Sequence, residues 1–133
     1  MKQNLEQKRA HYALTTIKEH LEHFEEDQQE RYLNRTKNLP AMILMCGLGQ
    51  AVATLQSVGK GQKENPDQVL YNDLERWLCG NEDILLYKDG DLLNEIATND
   101  RDVYMEAQAE ALKILEWLKK LATAYLSKEG GDK

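Results

Sequence analysis

Apolar positions recur along this chain with helical spacing. Ala10, Leu14, Ile17, Leu21 and Phe24 follow one another at steps of four, three, four and three, one face of a helix over residues 3–24. Glu25-Glu26-Asp27 leads into a short helical piece, Gln28–Lys37, on which Arg31 and Arg35 share a face. The most apolar run, Leu39–Leu55 (LPAMILMCGLGQAVATL), is apolar or small around nearly its whole circumference, as in a helix buried on several sides. Pro40 suits the first turn of that helix, where the missing N–H has no intrahelical partner in any case. A buried central helix is therefore predicted near residues 40–57, ending close to Gly59. Gly47 and Gly49 inside it each cost about 1 kcal/mol relative to alanine, which close approach by a neighbouring helix offsets.

Gly59-Lys60-Gly61-Gln62-Lys63 reads as an exposed, mobile basic loop. Asn65-Pro66 supplies an N-cap and first position for a helix to about Cys79, with Leu70, Leu74, Trp77 and Leu78 facing inward and Gly80-Asn81 as its stop. After a turn at Lys88-Asp89-Gly90-Asp91, a short helix carries Leu92, Leu93 and Ile96. A long final helix starts near Asp100, with the stripe Val103, Ala107, Ala111, Ile114, Leu118, Leu121 and Tyr125. Residues 1–4 and 127–133, with Glu129-Gly130-Gly131, are expected to fray. No hairpin signal, strand alternation or repeat occurs. The expectation is an all-α fold, one domain over residues 1–133, built as a bundle of five to seven helices.

Composition narrows the function classes. The apolar run of about 17 residues contains Gln50 and Thr54, too short and too polar to span a bilayer comfortably, so no membrane partner is expected. No basic start followed by an apolar core marks a signal peptide. Cys46 and Cys79 sit in apolar helical contexts without metal-ligand spacing, so buried packing in a reduced, cytoplasmic protein is the reading.

The charges fall in blocks. Residues 1–18 carry four bases and one acid, residues 19–30 six acids and no Lys or Arg, residues 31–63 five bases and no acids, and residues 64–133 eight bases against sixteen acids. The total of −6 makes tight autonomous nucleic-acid binding unfavourable. The acid-free strip 31–63 is still where an anionic partner would be met. A second reading stays open, in which Arg31, Arg35 and Lys37 pair with the acids of residues 19–30.

Catalytic chemistry finds little purchase. His20 and His23 are three apart and could reach one metal, with Glu19 as a third ligand, but a metal needs a complete ligand set, so a solvated face is the favoured reading. Gly47-Leu48-Gly49 lacks the strand and GK[ST] of a phosphate loop, and Asp89-Gly90-Asp91 lacks the other ligands of a calcium loop. Trp77 and Trp117 occupy core-compatible positions, whereas Met105 and Leu112 lie off the main stripe of the last helix. No enzyme, cofactor, metal or small-molecule substrate is expected.

Seven segments in order carry a family resemblance: Arg9-Ala10-x-x-Ala13, Leu39-Pro40-Ala41-Met42-Ile43, Gly47-Leu48-Gly49-Gln50-Ala51, Tyr71-x-x-Leu74-x-x-Trp77-Leu78, Leu92-Leu93-x-x-Ile96, Tyr104-x-x-Ala107-x-x-Glu110-Ala111-Leu112 and Trp117-Leu118-Lys119-Lys120-Leu121-Ala122. Together they resemble the small all-helical subunit of the type III-B CRISPR RNA-silencing (Cmr) complex over residues 7–125. One departure is Cys46, where the pattern has Asn. The resemblance implies a non-catalytic subunit that stacks with copies of itself beside the other Cmr subunits. It also implies a basic surface facing the groove of the guide–target RNA duplex. Phosphate contacts without sequence readout are then expected from Arg31, Arg35, Lys37, Lys60 and Lys63, with Lys8 and Arg9 as secondary candidates. Arg9 also borders the apolar face, where an internal pair competes. The alternative is a helical adaptor that touches only protein.

Overall fold

The computed structural model describes residues 2–126 and consists of six helices: α1 Leu5–His23, α2 Glu26–Cys46, α3 Leu48–Gly59, α4 Pro66–Leu78, α5 Leu92–Thr98 and α6 Arg101–Tyr125. Among the described residues the only extended pairing is an isolated parallel bridge between Cys79 and Tyr87. Helix starts follow capping chemistry. Asn4 and Gln7 close a capping box on α1. Asn65 caps α4 with Pro66 in its first turn, Asp91 caps α5 and Asp100 caps α6. Glu129-Gly130-Gly131 lies outside the described residues.

The predicted central helix is corrected. Pro40 does not open a helix; it lies inside α2, which runs unbroken from Glu26 and absorbs the short piece expected at Gln28–Lys37. Tyr32, Leu33, Thr36, Leu39 and Ile43 are all buried and keep one helical face across the proline. Burial of that face against α3, α4 and α6 outweighs the hydrogen bond Pro40 cannot donate.

The break falls at Gly47, whose φ of +91° is open to glycine and strained for other residues. A Cβ there would stand 2.9 Å from the Tyr104 hydroxyl. Two of the first free N–H groups of α3 are taken by α6: Leu48 N–H donates to Gln108 Oε1 and Gly49 N–H to the Tyr104 hydroxyl, both at 2.9 Å. Just before the break, Leu44 and Met45 point outward at 71% and 83% exposure, and Cys46 is exposed rather than packed.

One hydrophobic core joins the elements. Helix α6 runs through it, touching α1, α2, α3 and α4; α2 packs on α3 and α4, and α5 lies against α3. Leu21, expected on the buried face of α1, is 40% exposed, and Trp117 is half-buried with its indole N–H donating to Glu6 Oε2.

Candidate nucleic-acid interface

Two buried polar clusters tie the helices together, one joining α1, α4 and α6 and the other joining α1 and α4 to α2, which carries Arg31, Arg35 and Lys37. In the first, Arg9 on α1 donates from Nε and Nη2 to both carboxylate oxygens of Glu110 on α6, at 2.7 and 2.8 Å. The Trp77 indole N–H from α4 donates to the same carboxylate at 2.8 Å. Burial alone pushes the Glu110 carboxyl up, but the bonds from Arg9 and Trp77 prevail and hold it below the usual carboxylate range. In the second cluster, Asp73 of α4 is fully buried. Its Oδ2 accepts from His20 Nε2 at 2.8 Å and the Tyr32 hydroxyl at 2.7 Å, and its Oδ1 accepts from Arg76 Nη2 at 2.7 Å. Burial, then the Asp73 charge, drives the Tyr32 hydroxyl well above its ordinary pKa and Tyr12 up to about 12.

The second cluster corrects one sequence reading. His20 is not on a solvated face: it is 8% exposed, stacked on Phe24 with an edge toward Tyr32, and committed to Asp73. His23 is exposed and bonds through Nδ1 to the Glu19 carbonyl, so the two rings do not converge. Among the described residues no three His, Cys, Asp or Glu side chains gather as a metal set. Asp73 lines a cleft of about 1380 Å³ between α1, α2 and α4, whose lining mixes Arg31, Lys63 and Arg76 with Glu19, Glu25, Asp27 and Glu64.

The seven sequence-chosen cations separate sharply. Arg9 is spent on Glu110. Arg35 is spent too: Nε and Nη2 reach both oxygens of Asp67, at 2.8 and 3.3 Å, so the acid it pairs with lies in α4 rather than in residues 19–30. Lys8 pairs with Asp83 at 2.8 Å, both about two-fifths exposed, an ion pair of little net energy that exchanges readily. Arg31, Lys37, Lys60 and Lys63 are exposed, and none has an ion pair within 4 Å among the described residues.

The exposed stripe of α2 runs Arg31, Asn34, Lys37, Asn38, Ala41, Leu44 and Met45, without an acid. Beside its start, Gln28 Nε2 donates to the Glu64 carbonyl, which brings the basic loop against α2 and sets Arg31 and Lys63 on one cleft. Three backbone N–H groups of the loop find acceptors. Lys60 N–H donates to Gln56 C=O, Gln62 N–H to Gly59 C=O and Gly61 N–H to Gln68 Oε1. What sequence reasoning missed is α6, where Lys119 and Lys120 come up to Lys37. Their acid-interspersed surroundings in the sequence hid them.

Six helices around one core, tied together by buried ion pairs, make a small all-helical bundle with several surface cations unpaired among the described residues. Its fold matches the crystal structure of a CRISPR-associated Cmr5 family protein from Thermus thermophilus, with a TM-score of 0.70 and 24% identity over 94% of this chain and all of that one. The family model described as CRISPR-associated protein (Cas_Cmr5) matches residues 5–125, and the chain belongs to that family. It is thus a small subunit of the type III-B Cmr effector complex. No helix among the described residues is long and apolar enough to cross a membrane.

Proposed function

We propose that this chain is a non-catalytic, structural subunit that lines the groove of the guide–target RNA duplex and contacts phosphates without reading sequence. The observation that carries the reading is the exposed stretch of α2 from Arg31 to Asn38 (Arg31, Asn34, Lys37, Asn38), which holds no acid, with Lys63 beside Arg31 and Lys60 exposed in the adjoining loop. Lysine, arginine and amide side chains are the groups that bond phosphate and sugar oxygens. Arg31, Lys37, Lys60 and Lys63 are the principal contacts, with Lys8 exchangeable from Asp83. Arg9 and Arg35 hold the fold instead.

The test uses the reconstituted complex with Arg31, Lys37, Lys60 and Lys63 changed to Ala together. Four lost phosphate contacts should flatten the log K against log salt slope for target RNA by about 3, at roughly 0.7 per contact. An unchanged affinity and slope would refute the RNA role. The adaptor reading, with the same face docked on acidic neighbours, has support in the exposed Leu44 and Met45 beside it. It predicts that crosslinking to target RNA leaves residues 31–63 unlabelled.

A further inference from the structure

Three lysines from two helices converge where α2 passes the C-terminal part of α6. Lys37, Lys119 and Lys120, with Thr123, line a surface hollow of about 360 Å³ that no acid enters. We propose that this hollow is a phosphodiester-binding site, so that α6 as well as α2 tracks the nucleic-acid backbone. The inference rests on the RNA-contact reading above and extends it to residues outside the basic strip.

Charge allocation carries the argument. In a chain of net charge −6, most cations near the core meet carboxylates: Arg9 meets Glu110, Arg35 meets Asp67, and Arg76 meets Asp73. Lys37 and Lys119 have no such partner within 4 Å among the described residues. Lys120 has only Glu116, at 3.3 Å with both groups more than half exposed, a pair that yields to a better anion. Like charges gathered in one concavity repel, and their summed potential favours an anion there.

The ordinary reason for lysines near a helix end does not apply. The dipole acts within the last turn, and the last turn of α6 contains no basic residue. Lys37 sits in mid-α2, where the dipole offers nothing. Thr123 donates its hydroxyl to the Lys119 carbonyl, so the three lysines are the cationic residues of the lining.

The experiment compares two variants of the assembled complex, Lys119→Ala/Lys120→Ala and Lys60→Ala/Lys63→Ala, by target-RNA affinity across a salt series. The first pair should weaken binding and lower the salt slope by about 1.4, two contacts at roughly 0.7 each. Lys119→Arg/Lys120→Arg should retain the slope. If the α6 variant binds as wild type while the loop variant is weakened, the site is overturned and the wider RNA reading stands. If neither variant changes, both fall. If the α6 variant instead fails to enter the complex while its own melting temperature is unchanged, the hollow docks protein, and the proposal is overturned.

Discussion

Replacing Arg9 by Met retains the packing of its stem and removes two charge-assisted bonds to Glu110. Both side chains are under a tenth exposed, so the remaining carboxylate keeps only the Trp77 indole as a strong donor and cannot recover its water. Breaking a buried pair from one side costs about 3–5 kcal/mol. For a chain of this length that lowers Tm by roughly 10–20 °C. Arg9→Met with Glu110→Gln should be far better than Arg9→Met alone. The Gln carbonyl oxygen still accepts from Trp77 and carries no charge to strand, so the double variant should fall within about 2 kcal/mol of wild type.

The pH dependence has a definite sign. Glu110 is held below its usual range, so its contribution is complete above the unfolded carboxyl pKa of about 4.3 and is lost as pH falls through the folded value. The gap between wild type and Arg9→Met should therefore be widest at neutral pH and shrink below about pH 4. Urea unfolding at both pH values measures it. A cost below about 1 kcal/mol at pH 7, or a double variant no better than the single, would refute the assigned interdependence.

Packing and exposure set three further outcomes. Gly59→Ala places a Cβ 2.6 Å from Gln68 Cβ and 2.7 Å from its Cα, which forces α3 from α4; thermal melts should show a loss of about 1–3 kcal/mol, whereas Gly90→Ala, with open space, should be near neutral. An aromatic disulfide reagent should label Cys46 alone in the folded protein and both thiols in urea, because burial pushes the Cys79 thiol up to about 12; equal native labelling would contradict this. Leu44→Asp/Met45→Asp alters side chains at 71% and 83% exposure, so Tm should hold while incorporation into the Cmr complex drops, as scored by pull-down.

The helical content, the cap at Asn65 and the start of the last helix near Asp100 were legible because each depends on a few neighbouring residues. The long-range outcomes were not. Local rules make Pro40 a helix start, yet a buried face shared with three helices carries α2 through it, and the stop moves to Gly47, where Tyr104 and Gln108 bond the start of α3 across 55 and 60 residues of chain. The same blindness affected charge. The strip 31–63 showed where cations lay in the sequence, while the acids that neutralise Arg9 and Arg35 come from α6 and α4. His20 stands in an acidic run and looks solvated; only the approach of Asp73 from α4 makes it a core residue.

Those internal pairs also explain why the exposed face of α2 has two characters. Arg35 and Thr36 turn inward to Asp67 and the core, so the outward positions before Pro40 are Arg31, Asn34, Lys37 and Asn38. Past it the outward positions are Ala41, Leu44 and Met45, which are apolar and left exposed by the rest of the described fold. Exposing Leu and Met at more than two-thirds of their surface gains nothing for an isolated chain, whereas a protein neighbour would remove that apolar area from water. On the proposed reading, one helix therefore offers RNA its polar half and another subunit its apolar half. The two contacts would be fixed in register by a single rigid element, so a subunit seated through Leu44 and Met45 would hold Arg31 and Lys37 at a set distance along the groove.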